Sequence, residues 1–234
     1  MQAQNEQHIR NTAREHQYEL FLASRFARDI DEPAIWSLLA LDYELSRIPS
    51  VTQEEMIRMI RLTWWREAME EIYAQKPPRK HEVCTPLAET IQCYSIPQAL
   101  MLSLWEAHQE YILHEGPHPK TARLLWQTCH WVAEGFDRDL KQVGDFAELY
   151  DQQRSLRARS MRESISVEAE ALQAEYDALK QALPKTGLVP LMRVLFEENQ
   201  RRLLRADAGA CSYSIVRPSL KAYFKLLLFK LKIQ

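Results

Sequence analysis

An all-α fold is what the sequence predicts, and three observations carry it. Only 5 glycines occur among 234 residues while Leu, Ala, Glu, Arg and Gln abound, which starves tight-turn β architecture and favours helix. Apolar residues recur at helical spacing in segment after segment. Most segments also begin or end on a capping residue or a proline. No stretch alternates convincingly as a strand, and there is no internal repeat or low-complexity tract.

In chain order, Tyr18, Phe21, Leu22, Arg25 and Phe26 predict a first helix over about 11–28. Asp31 followed by Pro33 opens a second, which Pro49 closes after Ile48. Thr52 with Glu55 has the spacing of a capping box for a third helix, in which Ile57, Ile60, Trp64, Trp65, Ala68, Met69 and Ile72 form an apolar stripe up to Lys76-Pro77-Pro78. Thr85-Pro86 starts a shorter helix to Tyr94, and Ser95 with Gln98 caps another that reaches His114. After the Gly116-Pro117-His118-Pro119 break, helices are predicted over about 120–140, 145–159, 167–183, 188–206 and 219–232. Short connections without a linker imply one domain over 1–234.

Composition narrows function. At 46% hydrophobic residues the chain can bury a sizeable core. A formal net charge of −2 and a pI near 6.4 exclude nucleic acid as the main partner, because phosphate binding needs a net basic face. Cys84, Cys93, Cys129 and Cys211 form no C-x-x-C pair, which fits a reducing compartment. No apolar run reaches the roughly 18 residues that cross a bilayer. The start, MQAQNEQHIRNTAREH, has no apolar signal core. The expected location is the cytoplasm, with a peripheral contact at the inner membrane face. That contact would come from 217–234, which is basic without an acid. Between Ser219 and Lys232, Lys221, Lys225 and Lys232 share one helical face beside Tyr223, Phe224, Leu227, Leu228 and Leu231, a pattern suited to a membrane surface or an acidic partner; the alternative is packing on the body of its own domain with the lysines in water.

Three segments carry a resemblance. Phe21-Leu22-Ala23-Ser24-Arg25-Phe26-Ala27 and Leu38-Leu39-Ala40-Leu41-Asp42-Tyr43-Glu44-Leu45-Ser46-Arg47 are followed by Arg61-Leu62-Thr63-Trp64-Trp65-Arg66-Glu67-Ala68. Together they resemble the first helices of the squalene/phytoene synthase family. The R-L-x-W-W-R block is similar to a branch that holds bacterial proteins and the mitochondrial complex I assembly factor related to phytoene synthase. A weaker match starts at Gly144-Asp145-Phe146-Ala147-Glu148-Leu149 and runs to Arg154. The resemblance implies a single isoprenoid-synthase-like helical bundle around a central cavity.

Catalytic members of that family hold Mg²⁺ against a prenyl diphosphate with two aspartate-rich motifs. Set against the first, the acidic positions fall on Ser46, Arg47 and Ser50; set against the second, they fall on Ser155 and Arg159. Ionising a diphosphate needs Mg²⁺ held by carboxylate oxygens in a dry pocket. Arginine at such a position repels the metal, at roughly 4 kcal/mol per close like-charge pair for an effective dielectric of ~20. No catalytic residue and no metal ligand is therefore assigned. Arg47, Arg154, Arg157 and Arg159 remain candidates for gripping a diphosphate without metal, since guanidinium forks match phosphate oxygens; the alternative is a solvated face or pairs with Glu44, Glu67 and Glu148. Tyr43, Trp64 and Trp65 are candidates for lining the cavity.

Other acids offer no replacement motif on this reading. Asp42 and Glu44 point about 160° apart on a helix. Glu67, Glu70 and Glu71 read as solvated surface, and Asp145 with Glu148 as capping residues at a helix boundary. Glu110 and His114 form a lone i, i+4 pair, and Cys129-His130 lacks further zinc ligands. Three functions stay open, and the balance of residues leans away from catalysis. The first is a non-catalytic binding or respiratory-complex assembly protein at the membrane face, with a complex subunit or a prenyl lipid as partner and no cofactor. The second is an active head-to-head prenyltransferase using Mg²⁺ with farnesyl or geranylgeranyl diphosphate. The third is a metal-independent carrier of a prenyl diphosphate or lipid.

Overall fold

The computed structural model describes residues 2–114, 119–134, 139–159, 165–186 and 188–204. Cys211 and the basic segment at 219–232 lie outside them. The described chain is helical throughout and contains no strand. Its helices are α1 (Gln2–His16), α2 (Tyr18–Ser24), α3 (Glu32–Ser46), α4 (Ile48–Val51), α5 (Glu55–Tyr73), α6 (Cys84–Tyr94), α7 (Gln98–His114), α8 (Pro119–Glu134), α9 (Leu140–Arg159), α10 (Ser166–Leu179) and α11 (Val189–Leu203).

Helix α3 is the axis of the molecule. Its run AIWSLLALDYEL is apolar on nearly every side, so it cannot lie on a surface. Ile35, Leu38, Leu39, Ala40, Leu41 and Leu45 have no exposed surface at all. Helices α1, α2, α6, α7 and α8 pack around it, and α8 in turn packs along α9. Hydrogen bonds tie these layers at buried points. Ser37 and Thr90 join α3 to α6 at 2.9 Å, and Trp105 Nε1 of α7 donates to the Leu62 carbonyl of α5 at 2.8 Å. At the other end, Trp126, Phe146, Tyr150, Tyr176 and Phe196 of α8 to α11 form one aromatic cluster with centroid separations of 4.6 to 6.4 Å.

Several boundaries differ from the sequence expectation for physical reasons. The helix predicted over 11–28 is two helices broken at Gln17, whose backbone (φ −127°, ψ 46°) leaves the helical region. The break turns the Gln17 amide onto the buried Asp42 carboxylate. Ser95 is no N-cap: it closes α6 in the left-handed region at φ 48°. Nor does the Thr52–Glu55 pair close a capping box, since the N-cap of α5 is Glu54, whose N–H donates to Thr52 Oγ1 at 3.2 Å. Helix α9 starts at Leu140, five residues earlier than expected, so Asp145 and Glu148 lie inside it on one face. There they take Arg123 of α8 between them, at 2.7 and 2.5 Å.

Candidate functional site

The apolar stripe read along α5 divides in two. Leu62, Trp65, Ala68, Met69 and Ile72 turn into the core. Met56, Ile57 and Ile60 stay exposed, on a face roughly 120° round the helix at 100° per residue. Trp64 sits at the seam, partly buried. Between this seam and the α3–α4 corner lies a cavity of ≈ 290 Å³, with Arg47, Val51, Ile60, Arg61, Trp64 and His81 in its wall. Trp65 and Glu44 also line it.

A loop after α5 shapes this cavity from behind. Arg79 lies across α5 and binds Glu71 at 2.7 and 3.0 Å and Glu67 at 2.9 Å, donates to the Trp64 carbonyl at 3.2 Å, and stacks 5.3 Å above the Trp64 ring. Both acids sit one turn apart on α5, so the pair works as a two-carboxylate clamp for one guanidinium. The same loop carries His81, edge-on to Trp65 at 4.9 Å while Trp65 is edge-on to Trp64 at 5.0 Å. Burial lowers the His81 pKa below its usual value. Its Nδ1 accepts from the Val83 N–H at 3.2 Å, which fixes a neutral ring with the proton on Nε2.

The first candidate motif sits on the α3–α4 corner. Ser46 and Ser50 are exposed, and their hydroxyls donate to the carbonyls of Tyr43 and Arg47 at 3.0 and 2.7 Å. Arg47 pairs with Glu44 at 3.1 Å and lies 5.5 Å over the Tyr43 ring, which also stacks on His16 at 3.7 Å. Of the residues singled out from sequence, Arg47, Trp64 and Trp65 are therefore brought together in one cavity, with Tyr43 beside it through Arg47. The second candidate motif lies on α9. Ser155 and Arg154 are exposed, Arg157 pairs with Glu19 of α2 at 3.3 Å, and Arg159 with Glu168 of α10 at 3.1 Å. None of these four lines the cavity.

Carboxylates do occur one helical turn before both motif positions, Asp42 before Ser46 and Asp151 before Ser155. Asp42 is buried and committed: His108 Nε2 lies 2.9 Å from its Oδ1, and Gln17 donates to its Oδ2. Asp151 is pushed towards its neutral form, chiefly by burial and further by Asp42, while Arg154 opposes the shift. The two acids thus sense one another across the interior between α3 and α9. No group of three or more His, Cys, Asp or Glu side chains able to hold a metal occurs among the described residues. His108, Gln17 and Asp151 had escaped the sequence reading. The legible signal was Asp42 itself, a carboxylate inside an apolar run, which must find buried donors.

A profile of the squalene/phytoene synthase family matches residues 13–151, from α1 through the middle of α9. The chain belongs to the squalene/phytoene synthase family. With that, the all-α bundle is an isoprenoid-synthase-like fold. The chain is also similar to a human relative, complex I assembly factor 6 of NADH dehydrogenase (ubiquinone). Identity is 22% over 139 residues, covering 58% of this chain and 34% of the relative. The chain thus spans about a third of the length of that relative. No solved structure matches it. No helix among the described residues is long and apolar enough to cross a membrane.

Proposed function

We propose that this squalene/phytoene synthase-like protein is a non-catalytic binding or respiratory-complex assembly protein that acts at a membrane face. The observation that carries the reading is how the side chains at the two motif positions are spent. Ser46 and Ser50 donate to their own helix, and Arg47 and Arg159, which the sequence resemblance sets at positions of the family's acids, are paired with Glu44 and Glu168. The nearest acids do not replace them, since Asp42 is bonded to His108 and Gln17, and burial favours the protonated form of Asp151. Collecting several hard cations needs ionised carboxylates that are free to turn towards them. Likeness to a complex I assembly factor supports a respiratory-complex subunit as the partner. The membrane contact rests on the basic amphipathic pattern between Ser219 and Lys232.

The experiment is a product assay. Purified protein incubated with farnesyl or geranylgeranyl diphosphate and Mg²⁺ is expected to release no diphosphate and to form no C30 or C40 hydrocarbon. Turnover that disappears on Asp42→Asn or Asp151→Asn would overturn the reading and install these two acids as displaced metal ligands.

A further inference from the structure

We infer that the exposed face of α5, with the cavity at its end, docks an acidic amphipathic helix of a protein partner. The inference rests on the non-catalytic reading above and names the chemistry of the partner. Val51, Met56 and Ile60 are 48%, 76% and 61% exposed, and Ile60 lies one turn from both Met56 and Trp64. The stripe from Met56 to Trp64 runs about two turns along α5, or about 12 Å, which matches the contact length of a helix laid into a groove. Met, Ile, Trp and Arg side chains on one patch are the composition of an interface centre, where a single large apolar anchor fills a pocket. The cavity of ≈ 290 Å³ beside Trp64 provides that pocket.

Charge selects the partner. Arg61 is exposed on the cavity wall and has no ion pair among the described residues, whereas Arg47 is already shared with Glu44. His81 contributes no charge, because burial keeps its ring neutral. A carboxylate beside an apolar anchor would therefore meet Arg61. A lipid surface fits less well, because the site is concave; the exposed Glu54 and Glu55 at the start of α5 confine the partner's carboxylates to the Arg61 end of the face. The basic segment of this chain at 217–234 has the wrong sign for Arg61.

The test uses the full chain and three probes. These are a fluorescein-labelled synthetic helix with Leu and Trp at i, i+3, i+4 and i+7 flanked by Glu, the same peptide with each Glu replaced by Lys, and vesicles of phosphatidylcholine and phosphatidylserine. Anisotropy should show saturable binding of the Glu peptide, about tenfold tighter than the Lys peptide. Ile60→Asp should weaken the Glu peptide about tenfold, and Arg61→Glu should reverse the preference between the two peptides. Both positions are exposed, so the variants should melt with the parent. Peptide binding that neither variant alters would overturn the inference. So would vesicle binding without peptide binding, or a dimer in sedimentation that Ile60→Asp dissolves. The product assay is independent: hydrocarbon formation would sink the non-catalytic reading and leave the peptide result standing, and loss of peptide binding would do the reverse.

Discussion

At Asp151 burial works against charge. The folded-state pKa is raised above the ordinary carboxylate value, so between 3.8 and the raised pKa the native state binds the proton more tightly than the unfolded chain does. Stability therefore falls as pH rises through that window. Asp151→Asn removes the ionisation and keeps the shape. It is expected to raise the melting temperature at neutral pH, with a gain that shrinks as the pH drops towards 3.8; calorimetry across pH checks it. Single residues were unevenly legible in the sequence. Trp64 and Trp65 in the middle of α5 and Arg47 at the C-terminal end of α3 line one cavity. His81 in the same wall carried no signal, because what places it is the path of the loop at Arg79 and not its own spacing.

Among the described elements, α8 and α9 share the most extensive contact, and Gly144 permits it. A Cβ there would meet Arg123 Nη1 and Gln127 Nε2 at 2.7 Å and Arg123 Cγ at 2.9 Å. Neither neighbour is free to yield, since Arg123 is held by Asp145 and Glu148, and Gln127 Nε2 donates to the Leu140 carbonyl at 2.7 Å. Gly144→Ala should cost about 1–3 kcal/mol despite the better helix propensity of alanine, read as roughly 2–4 °C of melting temperature per kcal/mol. Helices were legible wherever period and punctuation agreed, as at Pro33 and at Pro77. They failed where a tertiary partner overrode local preference: nothing local marks Gln17 as a break, because its reason is a carboxylate 25 residues away. The α5 stripe misled for a related cause. Periodicity reports that a face is apolar, and cannot say whether this chain or another covers it.

For the molecule as a whole, buried ties cross every layer, from Ser37–Thr90 in the middle to the Gln153–Gln200 pair that joins α9 to α11 at 2.9 Å. We propose that 1–234 is a single domain, and far-UV and tryptophan signals are then expected to melt in one coincident transition. The family was legible because its marks sit in the core helices α2, α3 and α5. The balance between catalysis and binding was not, since it depends on which donors each acid faces. The Arg157–Glu19 bridge between α9 and α2 joins residues 138 positions apart, and α11 also packs on α2. During synthesis on the ribosome, then, α2 must wait for nearly the whole described chain to emerge before its outer side is covered. In that interval the side of α2 turned away from α1 and α3 is open to a chaperone, and a nascent chain cut short before α9 would leave that side bare.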